Sequence, residues 1–132
     1  MRNNSTDMLD AATVLQGYNS MTNGQSLKQI LIGMRKLLEN DEKWATNGIA
    51  LDAEGHIVKA HDPSAVMWDL IGAAAVCSND YGISPPPVIL FLDHMCAKAS
   101  GGEYDEAGRF NDNIDHEGLL AMLDMAIEEA SV

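Results

Sequence analysis

The sequence predicts a mainly helical α+β fold with four to five helices and one small β-hairpin, and three observations support this. Apolar residues recur at three- and four-residue spacing in several stretches, as in helices that bury one face. Residues 49–60 instead place β-favouring residues on both sides of a polar turn. The length of 132 residues suits one domain with one hydrophobic core.

The predicted hairpin spans Ile49–Ala60. Its turn, Asp52–Gly55, ends on a glycine that can adopt the positive φ angle that such turns often need. The chain then passes through Asp62 and Pro63, and we expect a helix to begin near Ser64. The reason is that the aspartate can cap a helix and that proline is tolerated in its first turn.

The helix that follows should be buried on more than one side and should end near Ser78. It contains Gly72 followed by three alanines, and these small residues would let another backbone segment approach closely. Trp44 precedes the hairpin, and we expect its side chain to anchor the preceding helix to the hairpin.

The clearest helix begins with the pattern of a capping box, in which Ser26 is the cap and Gln29 follows three residues later. It should run to about Asn40. Its apolar stripe comprises Ile30, Leu31, Met34, Leu37 and Leu38. We expect residues 1–25 to form an N-terminal appendage, a short helix and a linker, and residues 26–132 to form a single helical α+β domain.

Two further helices are predicted in the last part of the chain. Pro85–Pro87 favour a helix start, and Gly101 with Gly102 should end that helix. Glu103–Asn113 is predicted to be an irregular polar loop. Asp115 can then cap the last helix.

The net charge is the most extreme property of the sequence. With 20 acidic and 8 basic residues the formal charge is −12 and the pI is about 4.4, so direct binding to nucleic-acid phosphates is disfavoured. Residues 101–132 contain nine acidic residues against Arg109 alone, a net −8. Such a pole can attract a basic partner surface, and it can equally be a solvated face that keeps a small protein soluble.

The two cysteines, Cys77 and Cys96, lie in apolar helical segments without CxxC spacing. They are therefore predicted to be reduced core residues. The start of the chain has no apolar signal-peptide core, and no run approaches the length of a membrane span. We expect a soluble cytoplasmic protein that makes no membrane contact.

An ordered set of residues also runs through the chain: Trp44, Gly48, Ala50, Asp52, Gly55, Asp62-Pro63, Ala65, Trp68, Gly72-Ala73 and Phe110-Asn111-Asp112. In this order, and followed by a closing helix, the set resembles a family of short bacterial and phage proteins of unknown function. The resemblance covers roughly residues 27–130, and the family usually has tryptophan where this chain has Phe110. It implies an origin in bacteria or their viruses and no catalytic residue.

Potential metal ligands occur in three adjacent pairs: His61-Asp62, Asp93-His94 and Asp115-His116. None has the spacing of a defined metal motif, and two of the aspartates are expected to cap helices. A site assembled across the fold would comprise His61, Asp93, His94, Asp112 and His116. Because the sequence also lacks a catalytic motif and a phosphate-binding glycine loop, no catalytic residue and no cofactor is predicted.

The leading hypothesis is a small acidic interaction module, carried by a phage or a mobile element, that binds a basic surface of a partner protein as an inhibitor or adaptor. The candidate partner-binding residues are Glu103, Asp105, Glu106, Asp112, Glu128 and Glu129. The alternative is a metal-assisted hydrolase that uses the His/Asp pairs. Whether the protein is an enzyme stays open, with a non-enzyme favoured, and a homo-oligomer is compatible with both hypotheses.

Overall fold

The computed structural model describes residues 24–130 and confirms the predicted mainly helical α+β fold. Five α-helices and one two-stranded sheet lie within this range. In chain order the elements are α1 (Gly24–Leu38), a 3-10 turn (Asp41–Lys43), β1 (Ala50–Leu51), β2 (Met67–Trp68), α2 (Leu70–Asn79), α3 (Pro85–Ala99), α4 (Ala107–Asn113) and α5 (His116–Ala130). The appendage predicted for residues 1–25 falls outside the described residues except for its last two, so it stays a prediction.

One hydrophobic cluster joins all five helices. Helix α1 packs against α2 and α5, and α3 contacts the same two helices from the other side of the cluster. The apolar stripe predicted for α1 forms its buried face, with Leu37 only partly covered. None of the helices in residues 24–130 is long and apolar enough to cross a membrane.

Helix α1 ends at Leu38, close to its predicted end at Asn40, but its start differs from the prediction. The helix already includes Gly24, so Ser26 lies inside the first turn and is not the N-cap. The capping-box interpretation of Ser26 and Gln29 was therefore wrong.

The predicted turn of the hairpin is confirmed, whereas the strand pairing is different. Gly55 has a φ of +84°, and an isolated bridge joins Leu51 to Ile57 across the turn. The sheet itself pairs β1 with β2 in antiparallel register, with Ala50 opposite Trp68. The predicted second strand contained Ile57, whereas the strand that pairs with β1 begins ten residues later, at Met67.

The helix predicted to begin near Ser64 begins at Leu70 instead. Asp62 does accept the backbone N–H of Ser64 (2.9 Å), but it closes a local turn and caps no helix. The N-cap of α2 is Asp69, whose Oδ1 accepts the N–H of Gly72 at 2.7 Å. Pairing of residues 67–68 with β1 keeps this segment extended, so a non-local interaction overrides the earlier local helix-start signal.

The close approach predicted at Gly72 is confirmed. A Cβ atom at this position would collide with the backbone carbonyl oxygen of Ile49. The same carbonyl accepts the N–H of Asp69 at 3.1 Å, so α2 is held directly against residues 44–68, which we call the strand segment. Glycine at position 72 is therefore what lets the sheet lie on the first turn of α2.

Helix α3 begins at Pro85 and ends as predicted. The N–H of Gly102 donates to the carbonyl of Ala97 (2.7 Å), and Gly101 and Gly102 have φ angles of +65° and +89°. This is a Schellman motif, which requires the positive φ angle that glycine adopts without strain. Asp115 caps α5 through the N–H of Gly118 at 2.8 Å, again as predicted.

The predicted loop Glu103–Asn113 is only half correct, because Ala107–Asn113 forms helix α4. The side chain of its N-cap, Glu106, makes no capping hydrogen bond. Instead, Asp93 of α3 accepts the N–H of Ala107 at 2.7 Å. The cap is supplied by another helix, which is why the local sequence gave no sign of it.

Candidate functional site

The acidic residues of the C-terminal third fall into two groups in the structure. Four of the nine have partners within the fold: Asp112, Asp115, Asp124 and Glu129. Asp112 accepts the N–H of Asn47 (3.0 Å), and Glu129 pairs with Lys98 (3.1 Å). Both had been predicted to bind a partner, and both also contribute to the fold.

The other predicted partner-binding residues are Glu103, Asp105, Glu106 and Glu128. All four are exposed, and their carboxylates make no hydrogen bond or ion pair with any residue that the structure describes. Carboxylates that have no internal partner remain fully available to a cation or to a basic side chain from another molecule.

A concave pocket of about 380 Å³ brings two of these residues against α3. Its lining consists of Leu90, Asp93, His94, Ala97, Asp105 and Glu106. The four α3 residues share one helical face because they occupy positions i, i+3, i+4 and i+7 of the helix. The Schellman motif after α3 reverses the chain, and residues 105–106 return along this face.

The charge of this pocket is negative and partly shielded from water. Burial raises the pKa of Asp93, and the nearby charges of Glu106 and Asp105 raise it further, against the opposing effect of the hydrogen bond from Ala107. A cation placed in the pocket would relieve this repulsion. The arrangement therefore favours a positively charged group.

A second depression of about 400 Å³ adjoins the pocket on α3. It is lined by Lys98, Met125, Glu128 and Glu129. Since His94 and Lys98 are one helical turn apart, the pocket and the depression lie beside each other. We define the acidic face as Asp93, Glu103, Asp105, Glu106, Glu128 and Glu129.

The five predicted metal ligands are not brought together. His61 is exposed in a turn, and the Nε2 atom of His116 lies 2.7 Å from the carbonyl oxygen of Leu38. Asp93 and His94 line the pocket, whereas Asp112 contacts Asn47. Among the described residues, no three of these five side chains lie close enough together to hold a metal ion. The hydrolase hypothesis stays an untested alternative.

In residues 24–130, one other trio of potential ligands does lie within 4.8 Å: Asp52, Glu54 and His56. The carboxylate of Asp52 accepts the backbone N–H groups of Glu54 (3.0 Å) and His56 (2.8 Å). The hydrogen bond from His56 is the main reason that the pKa of Asp52 is lowered. These contacts explain the trio as part of the β-turn.

A buried polar network connects α4 to the strand segment, and sequence reasoning left its role open. Asn111 is fully buried, and its Oδ1 accepts the indole N–H of Trp44 (2.7 Å) and the N–H of Leu70 (3.1 Å). Its Nδ2 donates to the carbonyl of Ala45 (3.0 Å) and to Asp112 (3.0 Å). The Asn111 amide thus accepts two hydrogen bonds through its oxygen and donates two through its nitrogen, all within the fold.

Asp69 lies beside this network and is 6% exposed. Burial raises its pKa to about 6, and the charge of Asp112 adds to the rise, while the N–H of Gly72 opposes it. Trp44 also contacts the ring of His116, with centroids 5.5 Å apart. Trp44 therefore joins its own segment to α4 and α5, and the predicted anchoring of α1 to the hairpin by Trp44 stays a prediction.

Both cysteines are free and buried, as predicted. Burial raises the pKa of Cys77 to about 11 and that of Cys96 to about 12. Thiols with such pKa values are almost entirely protonated at neutral pH and are poor nucleophiles. Neither cysteine is a candidate for nucleophilic catalysis.

Comparison of the chain with models of known protein families, with curated proteins and with solved structures finds no match. The resemblance to a family of short bacterial and phage proteins therefore stays a prediction.

Proposed function

We propose that the protein is a small interaction module whose acidic face binds a basic surface of a partner protein, as an inhibitor or adaptor. The observation that carries the proposal is the set of four exposed carboxylates without internal partners, Glu103, Asp105, Glu106 and Glu128. Asp105 and Glu106 line the pocket and Glu128 lines the depression, whereas Glu103 directly follows the glycine pair that ends α3. Because these carboxylates make no hydrogen bond or ion pair among the described residues, they are free to bind a partner.

Protein is the better candidate than nucleic acid for the binding partner. The charge of −12 repels phosphates, and the acidic face adds to that repulsion locally. Lysine and arginine side chains instead match the carboxylates in charge, and arginine can bind a carboxylate through two parallel hydrogen bonds. Leu90, which is 42% exposed and lines the pocket, adds an apolar contact to the face.

The test is capture of partners from a bacterial lysate by the tagged protein and by a variant of the acidic face. The variant neutralises five residues: Glu103→Gln, Asp105→Asn, Glu106→Gln, Glu128→Gln and Glu129→Gln. A matched control removes the same charge from exposed positions elsewhere: Glu39→Gln, Asp41→Asn, Glu42→Gln, Asp80→Asn and Glu117→Gln. Because the two variants have the same net charge, a difference in their binding shows that the position of the carboxylates matters.

We expect a basic protein to bind the wild type and the control alike, with affinity that decreases as salt is added. The acidic-face variant should bind it at least about tenfold more weakly, since several charge pairs of this kind each contribute a few tenths to 1 kcal/mol. Unchanged affinity of the variant for every captured partner would refute the proposal. Equal weakening by both variants would show that only the overall charge matters.

A further inference from the structure

A groove with a different chemical character lies between the strand segment and α2. It has a volume of about 510 Å³, within the roughly 300–1,000 Å³ typical of binding pockets. Six of its lining residues are apolar: Ile49, Ile57, Val58, Ala60, Ile71 and Ala75. Ile57 is 69% exposed and Ile49 is 46% exposed, so large side chains that are normally buried face solvent here.

The walls of this groove are held by hydrogen bonds, so the groove exists before anything binds. The carbonyl of Ala50 accepts the N–H of Val58 (3.0 Å), and the carbonyl of Ala60 accepts the indole N–H of Trp68 (3.0 Å). On the other side, Gly72 brings α2 against Ile49. A preformed groove loses little conformational entropy when it binds a ligand.

Charge decides which occupant fits the groove. Its one charged lining residue is Lys59. The hydrogen bonds from Ser64 are the main reason that the pKa of nearby Asp62 is lowered, and the charges of Asp52 and Lys59 act on the same carboxyl in opposite directions. Asp52, Asp62 and Lys59 therefore lie close together at this wall of the groove, and their formal charges sum to −1. A second copy of the chain would bring another −12 to this surface, and an acidic peptide would be repelled as well.

We propose that this groove binds the apolar side chains of a basic amphipathic segment of the partner protein. The proposal rests on the proposed function for the basic character of the partner, and it adds an apolar anchor at a separate surface. Apolar side chains of the segment enter the groove, and its lysines or arginines lie near Asp52 and Asp62. This is the helix-in-groove mode of recognition, in which residues spaced three or four apart act as anchors.

A fluorescein-labelled synthetic peptide tests the proposal directly. The peptide carries leucines at helical spacing on one face and lysines elsewhere, and a scrambled peptide of the same composition is the control. Binding to the full-length protein is measured by fluorescence anisotropy. The variants are Ile57→Ser in the groove and Val66→Ser, a β-branched residue that is 44% exposed and does not line the groove.

We expect the amphipathic peptide to bind more tightly than the scrambled one, and Ile57→Ser to weaken its binding by about tenfold, because an apolar contact area is lost. Val66→Ser should change it by less than about twofold. Equal binding of the two peptides, absence of binding, or no effect of Ile57→Ser would each overturn the proposal. Self-association of the wild type that Ile57→Ser abolishes, seen by sedimentation, would identify a second copy as the occupant instead.

The same assay separates this proposal from the proposed function. If the five-residue acidic-face variant retains its lysate partner while the Ile57→Ser effect on the peptide persists, the acidic face is refuted and the groove stands. If the acidic-face variant loses the partner but Ile57→Ser leaves peptide binding unchanged, the groove is refuted and the acidic face stands.

Discussion

Two polar side chains, those of Asn111 and Glu106, lie only a few residues apart in the sequence but have opposite environments in the structure. Asn111 is fully buried, and its amide is satisfied by Trp44, Leu70, Ala45 and Asp112. Glu106, five residues earlier, is exposed and has no partner for its carboxylate among the described residues. Their environments separate a residue that builds the fold from one that is available to another molecule.

The largest effect should follow from removing the centre of the buried network. Asn111→Ala leaves the indole N–H of Trp44, the N–H of Leu70 and the carbonyl of Ala45 without their partner. Each unsatisfied buried group costs roughly 1–3 kcal/mol, so we expect the free energy of unfolding to fall by about 3–5 kcal/mol. Urea denaturation followed by tryptophan fluorescence measures it.

Asn113→Ala is the matched control for this substitution, because Asn113 lies on the same helix and is exposed. Its side chain donates only to the carbonyl of Arg109. We expect a loss below about 1 kcal/mol. If the two substitutions destabilised the protein equally, the distinction between the buried network and the exposed polar residues would be lost.

An intermediate effect is expected at Asp69, the buried cap of α2. Its pKa of about 6 in the folded protein exceeds the ordinary value of 3.8, so the folded state binds the proton more tightly than the unfolded state. The stabilisation from this group is therefore present below pH 4 and is lost as the pH rises through 6. At neutral pH the charged carboxylate destabilises the fold.

Asp69→Asn keeps a capping oxygen for the N–H of Gly72 and removes the charge that Asp112 repels. At pH 7 we expect the free energy of unfolding to rise by about 2 kcal/mol, and its decline between pH 4 and 7 to become shallower. Asp69→Ala, which removes the cap, is the control. Parallel pH profiles for wild type and Asp69→Asn, measured by urea denaturation, would contradict the assignment.

The smallest effect on stability should come from the acidic face. The five-residue variant of the acidic face loses four exposed charges and the ion pair between Glu129 and Lys98. The side chain of Lys98 is half exposed. We expect the free energy of unfolding to change by less than about 1 kcal/mol, since exposed pairs contribute little. Thermal and urea denaturation test this, and a large loss would show that these carboxylates are structural.

Much of the helical framework was accessible to sequence reasoning, because its signals are local. The stripe of α1, the proline start and glycine end of α3, and the Asp115 cap of α5 each depend on residues a few positions apart. The candidate site was accessible in part. Composition identified the acidic C-terminal third, but only the structure distinguished Glu106 from Asp112, whose carboxylate holds Asn47.

The sequence by itself determined the fold class, the apolar faces of the helices and the glycine contact at position 72, since these follow from spacing and from the size of single residues. Tertiary structure decided which aspartate caps α2 and that α4 is helical. It also decided the role of Asn111, whose bond to Trp44 joins residues 67 positions apart. Such contacts depend on how distant segments pack, and no local pattern of residue types encodes them.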